Sequence, residues 1–240
     1  MLRTIAFYSK FMISLITTIP ETIKTKKKVE TFNINKQLIE KYNYVHSISS
    51  KWVKSFIKLS GAKVKLFGSE NIPRDIPVLF VSNHQSNIDI PLLIYYIDKP
   101  KGFIAKKELK KIPMVNQWMK LMGGIFIDRS SLRKSASAII EGIKTLKSGQ
   151  SLVIFPEGTR SKGAFMRDFK AGSFKLAIKS KVPIIPITIK DSYKITDKNK
   201  IKPANVELYV HKPIYTNNLT KEERIALPKM VQNIVASKLK

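Results

Sequence analysis

From residue 61 onward, short β-branched apolar runs alternate with stretches of helical periodicity. This alternation predicts an α/β domain in which a mixed, mostly parallel sheet is largely buried between flanking helices. The predicted strands are 63–67, 78–82, 102–105, 124–128, 152–155, 182–189 and 206–210. The predicted helices are 90–97, 114–122, 135–146, 171–179 and a closing helix at 221–238, which begins at the capping box of Thr220 and Glu223 and is kinked at Pro228.

Residues 1–60 carry a different pattern, with 11 basic residues, three acidic residues and no glycine. Two segments, 2–19 and 36–60, place apolar side chains every three or four positions, and the lysine-rich run 24–28 separates them. The first apolar stripe is Met1, Ile5, Tyr8, Met12, Leu15 and Ile19, and the second is Leu38, Tyr42, Val45, Ile48, Trp52, Phe56 and Leu59. These stripes predict two amphipathic helices.

A basic amphipathic helix pair is typical of an anchor that lies on a membrane surface. Arg3 and Lys10 interrupt the first apolar run, which disfavours both a spanning helix and a signal peptide. The alternative is that both helices cover the core of the domain that follows. We therefore predict a membrane anchor at residues 1–60 and a second, α/β domain at residues 61–240.

The charge balance favours an anionic partner, because 44 Lys and Arg face 17 Asp and Glu, a net charge of +27. That partner could be nucleic acid, a lipid surface, an acidic protein or a phosphorylated substrate, and a solvated basic surface explains most lysines equally well. The basic residues are not clustered on one helix or interleaved with aromatic residues on a strand, so nucleic acid is disfavoured. With no cysteine and no metal-spaced cluster, we predict no disulfide, cysteine nucleophile or metal site.

His84 directly follows the predicted strand 78–82, and Asp89 lies five residues later, at the start of the next helix. Pro91 is tolerated only in the first turn of that helix, so the helix must begin close to Asp89. Open α/β sheets bind ligands at the carboxyl ends of their strands. A carboxylate here can hold one imidazole nitrogen and leave the other as a general base. For this spacing alone, a loop histidine and a helix-capping aspartate are the commoner explanation.

The stretch 155–161 also follows an apolar strand and combines an acid, a glycine, a hydroxyl and an arginine. Arg160 could bind a phosphate bidentately, while Gly158 would let backbone N–H groups come close. An ordinary polar turn is the alternative. A P-loop is excluded, because Ala164 stands where that motif needs lysine.

The strand 124–128 is followed by Arg129, which could bind a ligand or simply be solvated.

Taken together, four segments in order resemble the blocks of the glycerolipid acyltransferase family: 83–89, 124–129, 155–161 and 182–186. The linking pieces 106–113 and 169–172 are also similar to family sequence, although Asn116 stands where the family often has glycine. The resemblance implies transfer of a fatty acyl group from acyl-CoA or acyl carrier protein to the 2-hydroxyl of 1-acylglycerol-3-phosphate. The product would be phosphatidic acid, for phospholipid biosynthesis, and no cofactor is implied.

The resemblance also implies roles for individual residues. His84 would deprotonate the acceptor hydroxyl, oriented by Asp89, and backbone N–H groups near Glu157 and Gly158 would stabilise the oxyanion. Glu157 would position the acceptor or order its loop. The predicted substrate-binding residues, led by Arg160 on the acceptor phosphate, are Arg160, Thr159, Arg129, Lys106, Asn83 and Ser86.

The expected location is peripheral, on the cytoplasmic face of the cell membrane, with lysophosphatidic acid and an anionic phospholipid surface as partners and no nucleic acid. Acylation of another lysolipid is the main alternative. A non-catalytic basic protein that binds membranes or nucleic acid is a more remote one.

Overall fold

The computed structural model describes residues 1–33, 36–197 and 200–239. Its strands are β1 Lys63–Phe67, β2 Leu79–Ser82, β3 Lys101–Lys106, β4 Ile125–Ile127, β5 Ser151–Ile154, β6 Ile184–Lys190, β7 Thr196–Asp197, β8 Lys200–Ile201 and β9 Asn205–Val210. Its α-helices are α1 Leu2–Thr17, α2 Ile19–Glu30, α3 Leu38–Ser60, α4 Asp89–Tyr96, α5 Pro113–Leu121, α6 Leu132–Lys147, α7 Lys175–Ser180 and α8 Lys221–Ala236.

Seven strands form one sheet of order β1-β9-β6-β2-β5-β3-β4. The run from β6 to β4 is parallel throughout, whereas β9 pairs antiparallel with β6 and parallel with β1. The predicted mixed, mostly parallel sheet is therefore confirmed, and the seven predicted strands form it. The short strands β7 and β8 pair with each other outside this sheet.

Helices cover both faces of the sheet, as the continuous apolar character of the central strands requires. Along β2, Phe80 joins the core formed with α3, α4 and α5, while Leu79 and Val81 join the core formed with α6, α7 and α8. The predicted helix 171–179 is divided, because a 3₁₀ turn at Ala171–Phe174 precedes α7. The predicted capping box of α8 is confirmed by the reciprocal hydrogen bonds of Thr220 and Glu223.

The lysine-rich run 24–28, predicted to separate two helices, lies inside a third helix, α2. Lysine is a good helix former, and the fully buried residues of α2 are threonines, with Val29 partly buried against the core. Thr22 and Thr25 are buried, and the Thr22 hydroxyl lies 3.3 Å from the sulfur of Met114 in α5. Both predicted helices are therefore present as α1 and α3, but the segment predicted to separate them forms a helix of its own.

The apolar stripe of α3 faces the interior, so for this helix the core-covering alternative is correct. Val45, Val53 and Ile57 are buried in the core, and the Trp52 ring stacks on Trp118 at 6.3 Å. This helix is therefore part of the core of the α/β layers. The predicted division of the chain at residue 60 stays a prediction.

The first helix differs, because only one of its faces packs on the protein. Phe7 and Phe11 contact the Phe56 ring of α3. On the other side Ile5, Met12 and Ile16 are 56%, 60% and 70% exposed. Among the described residues, no helix has both the length and the apolar character that a membrane crossing requires.

Candidate active site

The predicted site residues converge at one edge of the sheet, where the carboxyl ends of the parallel strands meet. His84 and Asp89 follow β2, and the turn with Glu157, Gly158 and Arg160 follows β5. Lys106 is the last residue of β3, and Arg129 follows β4. The residues converge because the parallel strands place their carboxyl ends on the same edge, whereas the predicted roles of these residues stay predictions.

His84 and Asp89 are joined by a hydrogen bond of 2.7 Å between Nδ1 and Oδ2. The Asp89 side chain is fully buried, and the His84 side chain is 15% exposed. Because a carboxylate oxygen accepts, Nδ1 is the donor in this bond, which in the neutral ring leaves the lone pair on Nε2. The Phe155 ring stacks on the imidazole at 4.1 Å between centroids and holds its plane. This arrangement presents Nε2 as a general base.

Asp89 also shapes the loop that carries His84. Its Oδ2 accepts the backbone N–H groups of Gln85 at 2.7 Å and Ser86 at 2.9 Å. Asp89 is the first residue of α4, Ile88 occupies the cap position, and no side chain caps this helix. The helix-cap alternative therefore does not hold, since the carboxylate turns back to the loop.

Ser192, which sequence analysis missed, completes the surroundings of Asp89. It lies just beyond β6, is fully buried, and donates its hydroxyl proton to Asp89 Oδ1. The residues are 103 positions apart and share no motif. The available signal was the polar pair Asp191 and Ser192 directly after an apolar strand, in the same position as the other site loops.

Glu157 ties the loops together. Its Oε1 accepts the backbone N–H of His84 at 2.6 Å, and its Oε2 accepts the backbone N–H of Arg167 at 2.8 Å. Burial raises the pKa of this carboxyl, and the two N–H donors oppose that rise. Of the two predicted roles for Glu157, the geometry supports the ordering of its loop.

Gly158 has a different role from the one predicted. Its N–H donates to the Phe155 carbonyl at 3.0 Å, so this donor is not directed at an oxyanion. Its φ of 76° lies in the left-handed region, and a Cβ there would lie 3.1 Å from Lys170 Nζ and 3.2 Å from Arg129 Nη1. Glycine is therefore required where two cations approach the backbone.

We call Lys106, Arg129, Arg160 and Lys170 the cationic rim. The Arg129 guanidinium donates to the Gly158 carbonyl, and the Lys170 ammonium lies beside the same glycine. Arg160 is half-buried two residues further on, next to the exposed Thr159. Lys170 was not predicted, since it follows no strand directly. Arg129 and Lys170 meet at Gly158, and a guanidinium and an ammonium placed together suit a phosphate.

Asn83 and Ser86, predicted to bind substrate, instead support the backbone. The Asn83 amide donates to the Ile189 carbonyl and accepts the Ile189 N–H, both at 2.8 Å, which extends the pairing of β2 with β6. The Ser86 hydroxyl accepts the Ile88 N–H at 3.1 Å. Both side chains are buried, so these two predictions are corrected.

No cluster of three His, Asp or Glu residues is placed to hold a metal ion in the part of the chain that the structure describes.

Residues 63–190 match the family model described as Acyltransferase. Over 189 residues the chain is 36% identical to a 1-acyl-sn-glycerol-3-phosphate acyltransferase of Borreliella burgdorferi, an alignment that covers 78% of this chain and 76% of that protein. It is 30% identical over 233 residues to 1-acyl-sn-glycerol-3-phosphate acyltransferase alpha of Mus musculus, covering 95% and 77%. The fold matches the crystal structure of the 1-acyl-sn-glycerophosphate (LPA) acyltransferase PlsC from Thermotoga maritima with a TM-score of 0.83 and 30% identity, covering 99% and 93% of the two chains.

Proposed function

Because this chain belongs to the acyltransferase family, we propose that it transfers a fatty acyl group from a thioester to the 2-hydroxyl of 1-acylglycerol-3-phosphate. The product is phosphatidic acid. The observation that carries the proposal is the His84–Asp89 pair, which lies at the same sheet edge as the cationic rim. A base beside a phosphate-suited surface fits an acceptor that carries both a hydroxyl and a phosphate.

In the proposed reaction, His84 Nε2 removes the proton of the 2-hydroxyl as its oxygen attacks the thioester carbonyl. The C–O bond forms, the tetrahedral intermediate collapses with cleavage of the C–S bond, and the imidazolium returns the proton to the leaving thiolate. Asp89 stabilises the imidazolium and keeps Nδ1 protonated. No acyl-enzyme is required, in keeping with a chain that has no cysteine and a Ser86 hydroxyl that is engaged with its own loop.

The cationic rim binds the acceptor phosphate in this proposal. Arg129 and Arg160 supply planar donors that match phosphate oxygens, and Lys106 and Lys170 add point charges. Binding the phosphate fixes the hydroxyl against His84, which converts an encounter between two molecules into a step within one complex. Thr159, exposed on the same turn, contributes a hydroxyl.

The acceptor reaches the enzyme from an anionic membrane, on which the exposed apolar face of α1 rests. Ile5, Met12 and Ile16 give this face the apolar area that an interfacial helix buries. We propose a peripheral position on the cytoplasmic face of the cell membrane. The acyl donor is acyl-CoA or acyl carrier protein, no cofactor takes part, and either donor brings phosphate groups to a chain of net charge +27.

The test is an assay of purified protein with 1-acylglycerol-3-phosphate and each donor type, with phosphatidic acid detected by mass spectrometry. His84→Ala should lower kcat by about 10²–10⁴-fold, the usual contribution of a general base. His211→Ala, at a histidine that bonds Thr188 instead, should keep the wild-type rate.

Equal turnover of a lysolipid without the phosphate would replace the proposed acceptor with another lysolipid. Unchanged turnover in His84→Ala would exclude the proposed base.

A further inference from the structure

Ser192 is held at both its backbone and its side chain by the loop that carries His84. Its N–H donates to Gln85 Oε1 at 3.1 Å, and its hydroxyl donates to Asp89 Oδ1. Asp191, just before it, has a left-handed φ of 69°, which turns the chain back toward this loop after β6. Ser192 and Gln85 are both buried. The contact is therefore a built feature of the fold rather than a surface encounter.

The two oxygens of Asp89 are used differently. Oδ2 accepts three hydrogen bonds, from His84 Nδ1 and from the backbone N–H groups of Gln85 and Ser86. Oδ1 accepts the Ser192 hydroxyl. A carboxylate held at both oxygens cannot rotate about its Cβ–Cγ bond without losing bonds on each side. The Ser192 contact therefore helps to fix the plane in which Oδ2 meets the imidazole.

We propose that Ser192 is a positioning residue for acyl transfer, acting through Asp89 on His84. This inference rests on the proposed function, in which His84 is the base. Ser192 does not touch the reacting atoms. It holds Asp89 so that Nδ1 stays bonded at 2.7 Å and Nε2 stays aimed at the acceptor hydroxyl.

Ser192 also adjusts the charge that His84 experiences. A hydroxyl that donates to Oδ1 draws negative charge from the carboxylate, and this weakens the stabilisation of the imidazolium. Without that donor, the carboxylate should hold the imidazolium more strongly, and His84 should titrate at higher pH. The other acid beside His84 is Glu157, whose Oε1 accepts the backbone N–H of His84, and the cationic rim lies beyond it. Both are unchanged in a Ser192 variant.

The kinetic test compares Ser192→Ala with Ser60→Ala. Ser60 is equally buried, and its hydroxyl donates to the Ile57 carbonyl at 2.7 Å in α3, so the control loses the same atom elsewhere. Ser192→Ala should lower kcat about ten- to a hundredfold, the range for a hydrogen bond to a charged group, with KM for the acceptor unchanged. The acid limb of kcat/KM should move to higher pH. If both variants behave alike, the inference is overturned.

A second measurement does not depend on turnover. The chain has three histidines, so NMR titration can follow the His84 ring once His84→Gln has assigned its signal. The His84 midpoint should rise in Ser192→Ala and stay in place in Ser60→Ala. A raised midpoint without acylation of 1-acylglycerol-3-phosphate would support the coupling and reject the proposed function. An unmoved midpoint with acylation intact would reject the inference alone.

Ser192→Cys keeps nearly the same volume and so covers the case in which the alanine variant does not fold. A thiol is a weaker donor than a hydroxyl, so kcat should fall and the His84 midpoint should rise, both by less than in Ser192→Ala. Wild-type values for both quantities in a folded Ser192→Cys protein would contradict the proposal.

Discussion

The loops after β2 and β5 meet at the candidate site, yet they differ in how many of their polar side chains are exposed. In the first loop Asn83, Gln85, Ser86 and Asp89 are buried, and their side chains bond to backbone, to Ser192 or to the His84 ring. In the second loop Glu157 and Ser161 are also buried and bonded to backbone, but Thr159 is exposed and Arg160 is half-buried. In the proposed function, the first loop supports the base His84, whereas the second offers charges to the acceptor. Substitutions in the first should therefore change kcat, and substitutions along the cationic rim should change KM.

The largest effect is expected for Asp89→Asn in the buried loop. An amide can present its NH₂ group to His84, which favours the wrong imidazole tautomer and meets the loop N–H groups with a donor. We expect kcat to fall about 10²–10⁴-fold, as for loss of the base itself, in steady-state assays. Asp98→Asn, at a fully exposed side chain, is the control. A fall in kcat of less than tenfold, with folding intact, would break the contrast.

A smaller effect is expected for Arg129→Ala on the cationic rim. Loss of one charge-assisted contact to phosphate should raise KM for 1-acylglycerol-3-phosphate about ten- to a hundredfold. The variant kcat at saturating acceptor should stay close to that of the wild type. Arg224→Ala, which removes an exposed arginine from α8, should leave both parameters unchanged. A lower kcat at constant KM would place Arg129 on the catalytic side of the comparison.

The smallest effect is expected for Glu157→Gln. This variant tests the contrast between the two loops, because Glu157 accepts a backbone N–H from each of them. Glutamine has one acceptor oxygen, so the backbone N–H of either His84 or Arg167 loses its partner. This loss should lower the unfolding free energy by about 1–3 kcal/mol. Denaturant unfolding measures this loss, and Glu141→Gln at an exposed position is the control. A stability equal to that of the wild type would show that the two bonds to Glu157 contribute nothing.

The Glu157→Gln variant also tests how the stability of the protein depends on pH. Burial raises the folded-state pKa of Glu157 above its ordinary value of 4.5, so the folded protein binds this proton more tightly than the unfolded chain. The Glu157 contribution to stability is therefore present below that value and is lost as the pH rises through the raised pKa. The difference in unfolding free energy between wild type and Glu157→Gln should shrink over this range. A difference that is constant with pH would contradict the raised pKa.

Much of the fold could be predicted because its strands are short apolar runs and its helices have regular periodicity. The position of His84 and Asp89 followed from the rule that ligands bind at the carboxyl ends of parallel strands. The helix α2 was missed because its fully buried residues are Thr22 and Thr25, and hydroxyl side chains carry no apolar signal.

The finer use of each site residue could not be predicted, because it depends on backbone groups. The sequence does not reveal that Asn83 pairs with Ile189, or that the Gly158 N–H is already bonded to Phe155. The contact of Ser192 with Asp89 joins residues 103 positions apart, and it forms because β2 and β6 pair side by side. These contacts appear only when the strands are brought into register.

The reversed direction of β9 has a consequence for the way a substrate approaches. Beyond β6 this edge of the sheet presents the amino ends of β9 and β1. The row of carboxyl ends therefore begins at β6 and runs in one direction only, through β2, β5, β3 and β4. From β2 to β4 this row spans about 15 Å, at roughly 4.8 Å between strands. Arg129 begins at the far end and reaches inward to Gly158, in the loop after β5. The site is thus one-sided. In the proposed reaction we therefore expect a long acceptor to lie along β5, β3 and β4, with its hydroxyl at the closed end.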